Sequence, residues 1–156
     1  MKAIHWIIAA AALACAEPVQ AGVNDPEVII YRFPGVLDFG NTPSTGIATS
    51  FHCTNFSGVP ENIRFVTRLS NGNLLTNLVF AVAHLATLTA STHETNLYAD
   101  GSTVLNTGLV RQGTTAIAAT SINIICTAVT IDAGALVPSG FALRGIRFNP
   151  VPGSQE

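Results

Sequence analysis

The sequence predicts an all-β protein, an antiparallel β-sandwich of about eight strands. Apolar residues recur at every second position, or run continuously for a few residues between turn signals, and β-branched residues dominate these stretches. The turn signals follow one another at intervals of roughly ten residues, which is typical of sandwiches. No helical periodicity is evident after the N-terminal segment, so we expect strands to bury their apolar faces against other strands.

Residues 1–21 have the three-part layout of a secretory signal peptide. Lys2 provides a basic start, an apolar run follows, and small residues precede a cleavage point after Ala21. The apolar run is shorter than the roughly 20 residues that span a bilayer, and no second such run follows. We therefore expect a secreted or periplasmic protein without a membrane span, in which residues 22–156 form a single β-sandwich domain.

Cleavage after Ala14 is an alternative that would leave Cys15 at the mature N-terminus. The stretch from Ala12 to Cys15 resembles the box of bacterial lipoproteins, whose cysteine carries a lipid anchor. It departs from that box at Ala12, where a larger aliphatic residue is usual. A lipid anchor at Cys15 is therefore kept as the alternative to release from the membrane.

The first half of the predicted domain contains four strands and one tight hairpin. The first strand, 27–33, is predicted to close at Pro34 and Gly35, and the others are 46–57, 62–69 and 74–82. Asn71 and Gly72 separate the last two strands. This pair predicts a type I′ hairpin turn, because both central residues of that turn need positive φ.

The second half contains shorter and less regular strands. The pattern predicts strands at 87–91, 96–99 and 104–113, a long segment 114–133, and a last strand 140–148. Asp100 and Gly101 indicate a turn. The segment 114–133 is too long for one strand, so we expect it to bend near Thr120 and Ser121.

Two cysteines remain after removal of the leader, Cys53 and Cys126. An even number of cysteines in an exported chain predicts a disulfide. Alternation along the strand places Cys53 on the inward face with Phe51 and directs His52 to the opposite face, so the imidazole cannot activate this sulfur. A metal-binding or catalytic Cys53 and two separate buried thiols are the alternatives to the disulfide.

Two cysteines about seventy residues apart, on an early and a late strand, resemble the arrangement in immunoglobulin-like sandwiches. The resemblance covers cysteine placement and strand number. Trp6, the only tryptophan, lies in the leader, and Ile124 occupies the position of the usual corner tyrosine. The resemblance implies an exported bacterial immunoglobulin-like domain of uncharacterised function, with a disulfide that crosses the core between two sheets.

Charge is sparse and excludes one class of partner. Lys2 is the only lysine, and six arginines are scattered among the acidic residues of the predicted domain. Nucleic-acid binding requires a clustered basic patch that releases counterions. We therefore expect no nucleic-acid partner.

The best candidate for a binding surface lies at His93, Glu94 and Tyr98, in a polar stretch rich in hydroxyl groups. Tyr98 could stack on a sugar or on a protein partner. The set His84, His93 and Glu94 lacks the paired spacing of zinc ligands, and no G-x-S-x-G motif is present. We predict no catalytic residues, no metal site and no cofactor.

These observations predict an exported, non-enzymatic binding or structural module of the bacterial periplasm or cell surface, with a protein or glycan partner. A secreted hydrolase with a site assembled from loops is one alternative. Another is a fimbrial-type subunit that polymerises by strand addition. Residues 24–30 could supply the donated strand, although they lack a clean alternating pattern.

Overall fold

The computed structural model describes residues 22–40 and 44–148. This part of the chain forms ten strands and no helix, which confirms the all-β prediction. The predicted signal peptide, its cleavage point and Cys15 lie outside the described residues. The strands are β1 Val28–Phe39, β2 Ile47–Asn55, β3 Glu61–Leu69, β4 Leu74–Val82, β5 Thr87–Ser91, β6 Ser102–Val104, β7 Val110–Ala119, β8 Ile124–Asp132, β9 Gly140–Leu143 and β10 Ile146–Arg147.

All ten strands are hydrogen-bonded into one curled, mixed sheet. The main order is β4-β3-β7-β1-β2-β5-β6, while β8 lies between β2 and β9, and β10 pairs with β1. Every pairing is antiparallel except that of β5 with β6, which is parallel because residues 92–101 carry the chain back before β6 begins. The predicted number of about eight strands and the purely antiparallel pairing were therefore wrong in detail.

The long strand β1 makes the sheet curl over a single core. It pairs with β7 over residues 28–38, and its last two residues, Asp38 and Phe39, also pair with the start of β2. Phe51 on β2 then faces Phe33 on β1 and Phe65 on β3, with ring centroids 5.6 and 5.8 Å apart. Strands β2 and β3 are not hydrogen-bonded neighbours, so the contact of Phe51 with Phe65 joins separated strands of the curled sheet through the core.

The predicted end of the first strand at Pro34 and Gly35 is wrong. Strand β1 continues to Phe39, with register shifts on both sides of Val36. Proline lacks a backbone N–H, and a bulge tolerates that loss because pairing is already interrupted there. The bulged segment still buries Val36 completely.

The β3–β4 hairpin is confirmed, but its turn type differs from the prediction. Gly72 has a φ of +85°, whereas Asn71 is not among the residues with positive φ. The Gly72 N–H donates to the Leu69 carbonyl at 2.9 Å. These features define a type I turn followed by a left-handed glycine, the common three-residue hairpin loop.

Other boundaries in the second half also shift. Residues 96–99 form turns instead of the predicted strand, and segment 140–148 is divided into β9 and β10. The predicted strand 104–113 does not end at Gly113, because β7 runs through it between β1 and β3. A side chain there would meet Val110 Cγ1 at 2.6 Å and the Arg68 carbonyl oxygen at 2.9 Å. The predicted bend near Thr120 is confirmed as the turn between β7 and β8.

The sulfur atoms of Cys53 and Cys126 are 2.14 Å apart, at disulfide-bonding distance. The two residues lie directly opposite each other on the paired strands β2 and β8, with Cα atoms 4.1 Å apart. The placement between two sheets that the immunoglobulin-like resemblance implied is therefore wrong. This disulfide joins neighbouring strands of the same sheet.

Candidate functional site

The structure gives the three residues of the predicted binding surface three different surroundings. The His93 side chain is 15% exposed and is turned towards Asp38, while Glu94 is exposed. Tyr98 is half-buried, and its ring packs edge-on against His52, with centroids 4.7 Å apart. His52, predicted on the outward face, is covered in part by this contact.

His93 belongs to a hydrogen-bonded cluster that we call the Asp38 clasp. His93 Nδ1 lies 2.7 Å from Asp38 Oδ1, and Nε2 lies 3.0 Å from the Thr45 carbonyl oxygen. The Thr107 hydroxyl donates to Asp38 Oδ2 at 2.6 Å. Both ring nitrogens lie within hydrogen-bond distance of an oxygen atom, so the imidazole is held from two sides. The clasp joins the end of β1 to three separate loops.

The Asp38 clasp contains the residue types of a hydrolase triad in a different arrangement. In a triad, one histidine nitrogen contacts the nucleophile and the other contacts the carboxylate. Here the second nitrogen of His93 bonds to a backbone carbonyl, and the Thr107 hydroxyl bonds to Asp38 instead of His93. The geometry therefore suits a structural role.

His93→Ala is expected to lower the free energy of unfolding by about 2 kcal/mol, because the Asp38 carboxylate, 3% exposed, would lose a hydrogen-bond partner in a buried position. Urea denaturation followed by circular dichroism measures this change. His84→Ala is the matched control, since His84 is exposed and accepts one hydrogen bond from the Gly58 N–H. Equal stabilities of the two variants would contradict a stabilising clasp.

Polar side chains of β2 and β5 are paired across the two strands, on the face opposite to Phe51 and Cys53. The hydroxyls of Ser50 and Ser91 lie 2.7 Å apart, and His52 Nδ1 lies 3.1 Å from the Thr89 hydroxyl. These polar groups satisfy one another, so they leave few unpaired groups for a ligand. Burial lowers the pKa of His52 below its usual value of 6.5.

The shift at His52 predicts a pH dependence of stability. Because burial favours the neutral ring, the folded chain binds a proton at His52 less readily than the unfolded chain does. The resulting stability is complete above the usual pKa of 6.5 and is lost as the pH falls through the lower folded-state pKa. Nuclear magnetic resonance titration should give a midpoint below 6.5 for His52, and a midpoint at or above that value would contradict the burial argument.

A cleft of 440 Å³ opens where β2 begins, β8 ends and β9 begins. Two of its polar side chains are already engaged: Asp132 accepts a hydrogen bond from the Gly134 N–H, and the Thr130 hydroxyl lies 3.4 Å from that of Thr49. Ile47 and Phe141 supply exposed apolar walls. Within the described residues, no three His, Cys, Asp or Glu side chains come together in a way that could hold a metal ion.

The most distinctive surface feature is the free edge of β4. This strand stands at the end of the strand order and pairs only with β3 in the described part of the chain. Its sequence, LLTNLVFAV, contains no charged residue, no proline and no glycine. Natural proteins usually protect an edge strand with charged residues, proline, a bulge or a cover, because its unpaired N–H and C=O groups can accept another strand. The one register shift of β4 lies at its hairpin end, and residues 76–82 pair regularly with β3.

The apolar core extends to this open edge. The inward side chains Phe80 and Leu78 lie opposite Ile63 and Phe65 on β3. The Phe80 ring contacts that of Phe65, with centroids 6.2 Å apart, while Leu78 remains 37% exposed. A further strand on β4 would cover apolar surface that β3 and β4 leave in contact with water.

The two arginines of β3, Arg64 and Arg68, are already paired within the chain. The Arg64 guanidinium binds the Glu27 carboxylate through two nitrogens and donates to Asn77 Oδ1 at 3.0 Å. Arg68 donates to the Gly72 carbonyl at 2.9 Å. An incoming strand would therefore meet a surface with little free charge.

Sequence reasoning did not single out β4, although its lack of charge is visible in the printed sequence. Comparison with known proteins finds no matching family model, no similar curated protein and no similar solved structure. Among the described residues, no helix has the length and apolar character that a membrane crossing requires.

Proposed function

We propose that this chain is an exported, non-enzymatic binding or structural module of the bacterial periplasm or cell surface, which pairs an extended partner strand with the edge of β4. Export is supported by the signal-peptide pattern of residues 1–21. It is also supported by two cysteines at disulfide distance, because disulfides persist in oxidising compartments.

The proposed body of the module is an immunoglobulin-like β-sandwich. In this proposal, β4-β3-β7-β1-β10 forms one layer and β9-β8-β2-β5-β6 forms the other. The core contacts of Phe51 support this division. Phe51 lies on β2 in the second layer, and the Phe33 and Phe65 rings that it contacts lie on β1 and β3 in the first, so the rings meet across the core.

The observation that carries the proposed function is the uncharged, unpaired edge of β4. In strand addition, main-chain hydrogen bonds supply affinity and pockets for alternate side chains supply specificity. Leu78 and Phe80 offer such apolar contacts on the inward side of the strand. A protein partner that contributes an extended segment fits this edge better than a glycan does.

The alternatives have less support. A hydrolase needs a histidine nitrogen free to act on a nucleophile, but both nitrogens of His93 are bonded in the Asp38 clasp. Fimbrial-type donation of residues 24–30 needs a free segment, whereas β1 begins at Val28 and pairs with β7 from that residue onward.

A labelled synthetic peptide of alternating threonine and valine tests strand addition by fluorescence anisotropy. We expect the peptide to bind the unaltered chain and to bind Leu78→Lys about tenfold more weakly, since an inward charge blocks edge pairing at a cost near 1.4 kcal/mol. Leu109→Lys is the control, because Leu109 is 55% exposed and lies outside every strand. Equal binding by both variants would overturn the proposed function.

A further inference from the structure

The open edges of the sheet differ greatly in length. Besides β4, with nine residues, the sheet ends in β6, β9 and β10, which have three, four and two residues. Head-to-tail addition of strands needs two different long edges or a donated strand. Within the described residues β4 offers one long edge, so a symmetric contact that uses this edge twice matches the structure best.

We propose that the partner strand is β4 of a second copy of this chain, paired antiparallel about a two-fold axis at Leu78. This inference rests on the proposed function, since it names the occupant of the same edge. Leu78 is the central residue of β4, so an axis there pairs the regular segment 76–80 of one copy with the same segment of the other. The contact is isologous and closes as a dimer, and it does not propagate into a fibre.

The side chains of β4 suit this self-pairing. The axis sets Leu78 against Leu78 of the second copy and Thr76 against Phe80, all on the inward face. Beyond these pairs the register shift opposite Thr67 and Arg68 places Leu74 on the outward face, so the inward contact consists of residues 76–80 of the two copies. Like charges directly opposite each other would destabilise such a pair of strands, and β4 carries none.

The two ends of the strand are also compatible with a second copy. The two-fold axis brings the hairpin loop 70–73 of one copy near residues 83–86 of the other. Neither segment contains Asp, Glu, Lys or Arg. Leu85 is 64% exposed beside one end of β4, and Leu74 is 50% exposed at the other, so the contact would also cover these apolar side chains.

Symmetric cross-linking tests the axis. Leu78→Cys and Leu74→Cys are each made in the full chain with Cys15→Ser, so that each protein has one added thiol. Side chains directly opposite on antiparallel strands are close enough for a disulfide. We expect mild oxidation to give a reducible covalent dimer of Leu78→Cys and to leave Leu74→Cys uncrosslinked, because the axis at Leu78 puts the two copies of residue 74 at opposite ends of the strand pair.

Sedimentation of the unaltered chain gives the second measurement. We expect a concentration-dependent dimer that becomes a monomer in Leu78→Lys and persists in Leu109→Lys. A monomer at every concentration, or equal cross-linking at positions 74 and 78, would overturn the proposed dimer. If the threonine–valine peptide still binds β4 in that case, the proposed function survives without the dimer. If the unaltered chain neither binds the peptide nor forms a dimer, the proposed function and the proposed dimer are both overturned.

Discussion

Phe51→Ala is expected to lower the free energy of unfolding by about 3–5 kcal/mol. Phe51 is fully buried, and its ring contacts Phe33 and Phe65 on two other strands. Removing the ring leaves a cavity whose walls belong to strands already fixed by sheet hydrogen bonds, so the surroundings cannot collapse to fill it. Urea denaturation, followed by circular dichroism and by intrinsic tyrosine fluorescence, measures this loss of stability.

Phe56→Ala is the matched control for this prediction. Phe56 follows β2 closely in sequence, but it is 49% exposed. Its truncation should change the free energy of unfolding by about 0.5 kcal/mol or less, as is usual for surface substitutions. Equal losses for Phe51→Ala and Phe56→Ala would contradict the assignment of Phe51 to the centre of the core.

Removing the disulfide through Cys53→Ala together with Cys126→Ala is expected to cost about 4.5 kcal/mol in the chain-entropy account. The two cysteines are 73 residues apart in sequence, so their bond restricts a long loop of the unfolded chain. The folded sheet should survive the change, because β2 and β8 pair over nine residues. The far-ultraviolet circular dichroism spectrum should therefore be retained while the midpoint of denaturation falls.

Reduction of the unaltered chain is the control for the disulfide prediction. Intact mass should increase by two hydrogens on reduction, and the reduced protein should match the stability of the double-alanine variant. An unchanged mass after reduction, or a double-alanine variant as stable as the oxidised chain, would show that the bond does not contribute as described.

Local pattern was sufficient to predict much of the strand content. Ile63, Phe65 and Thr67 alternate with half-buried or exposed residues, and the structure buries all three. The strands 74–82 and 87–91 have the predicted bounds. These features were predictable because side-chain direction in a strand depends on neighbours in the sequence.

Features that depend on distant residues were not predictable. Gly113 and the Pro34 bulge resemble strand ends in the sequence, and only the packing of β7 between β1 and β3 shows why β7 continues through Gly113. Alternation put Cys53 on the inward face, but it contained no information on which strand lies beside β2. The contact between His93 and Asp38 joins residues 55 positions apart.

The candidate site illustrates the same limit. The lack of charge in β4 is a property of the sequence, whereas its place at the edge of the sheet is a property of the fold. An uncharged strand in the middle of a sheet would be ordinary, because both its edges would be paired. The functional interpretation of residues 74–82 therefore requires the topology.

Amide hydrogen exchange across residues 74–82, measured by mass spectrometry at rising protein concentration, tests strand addition at β4 most directly. We expect these amides to exchange faster than those of β3 in dilute protein, and to gain protection with concentration in the unaltered chain but not in Leu78→Lys. Protection of β4 equal to that of β3 at the lowest concentration, or exchange independent of concentration and of added threonine–valine peptide, would contradict an edge that accepts a partner strand.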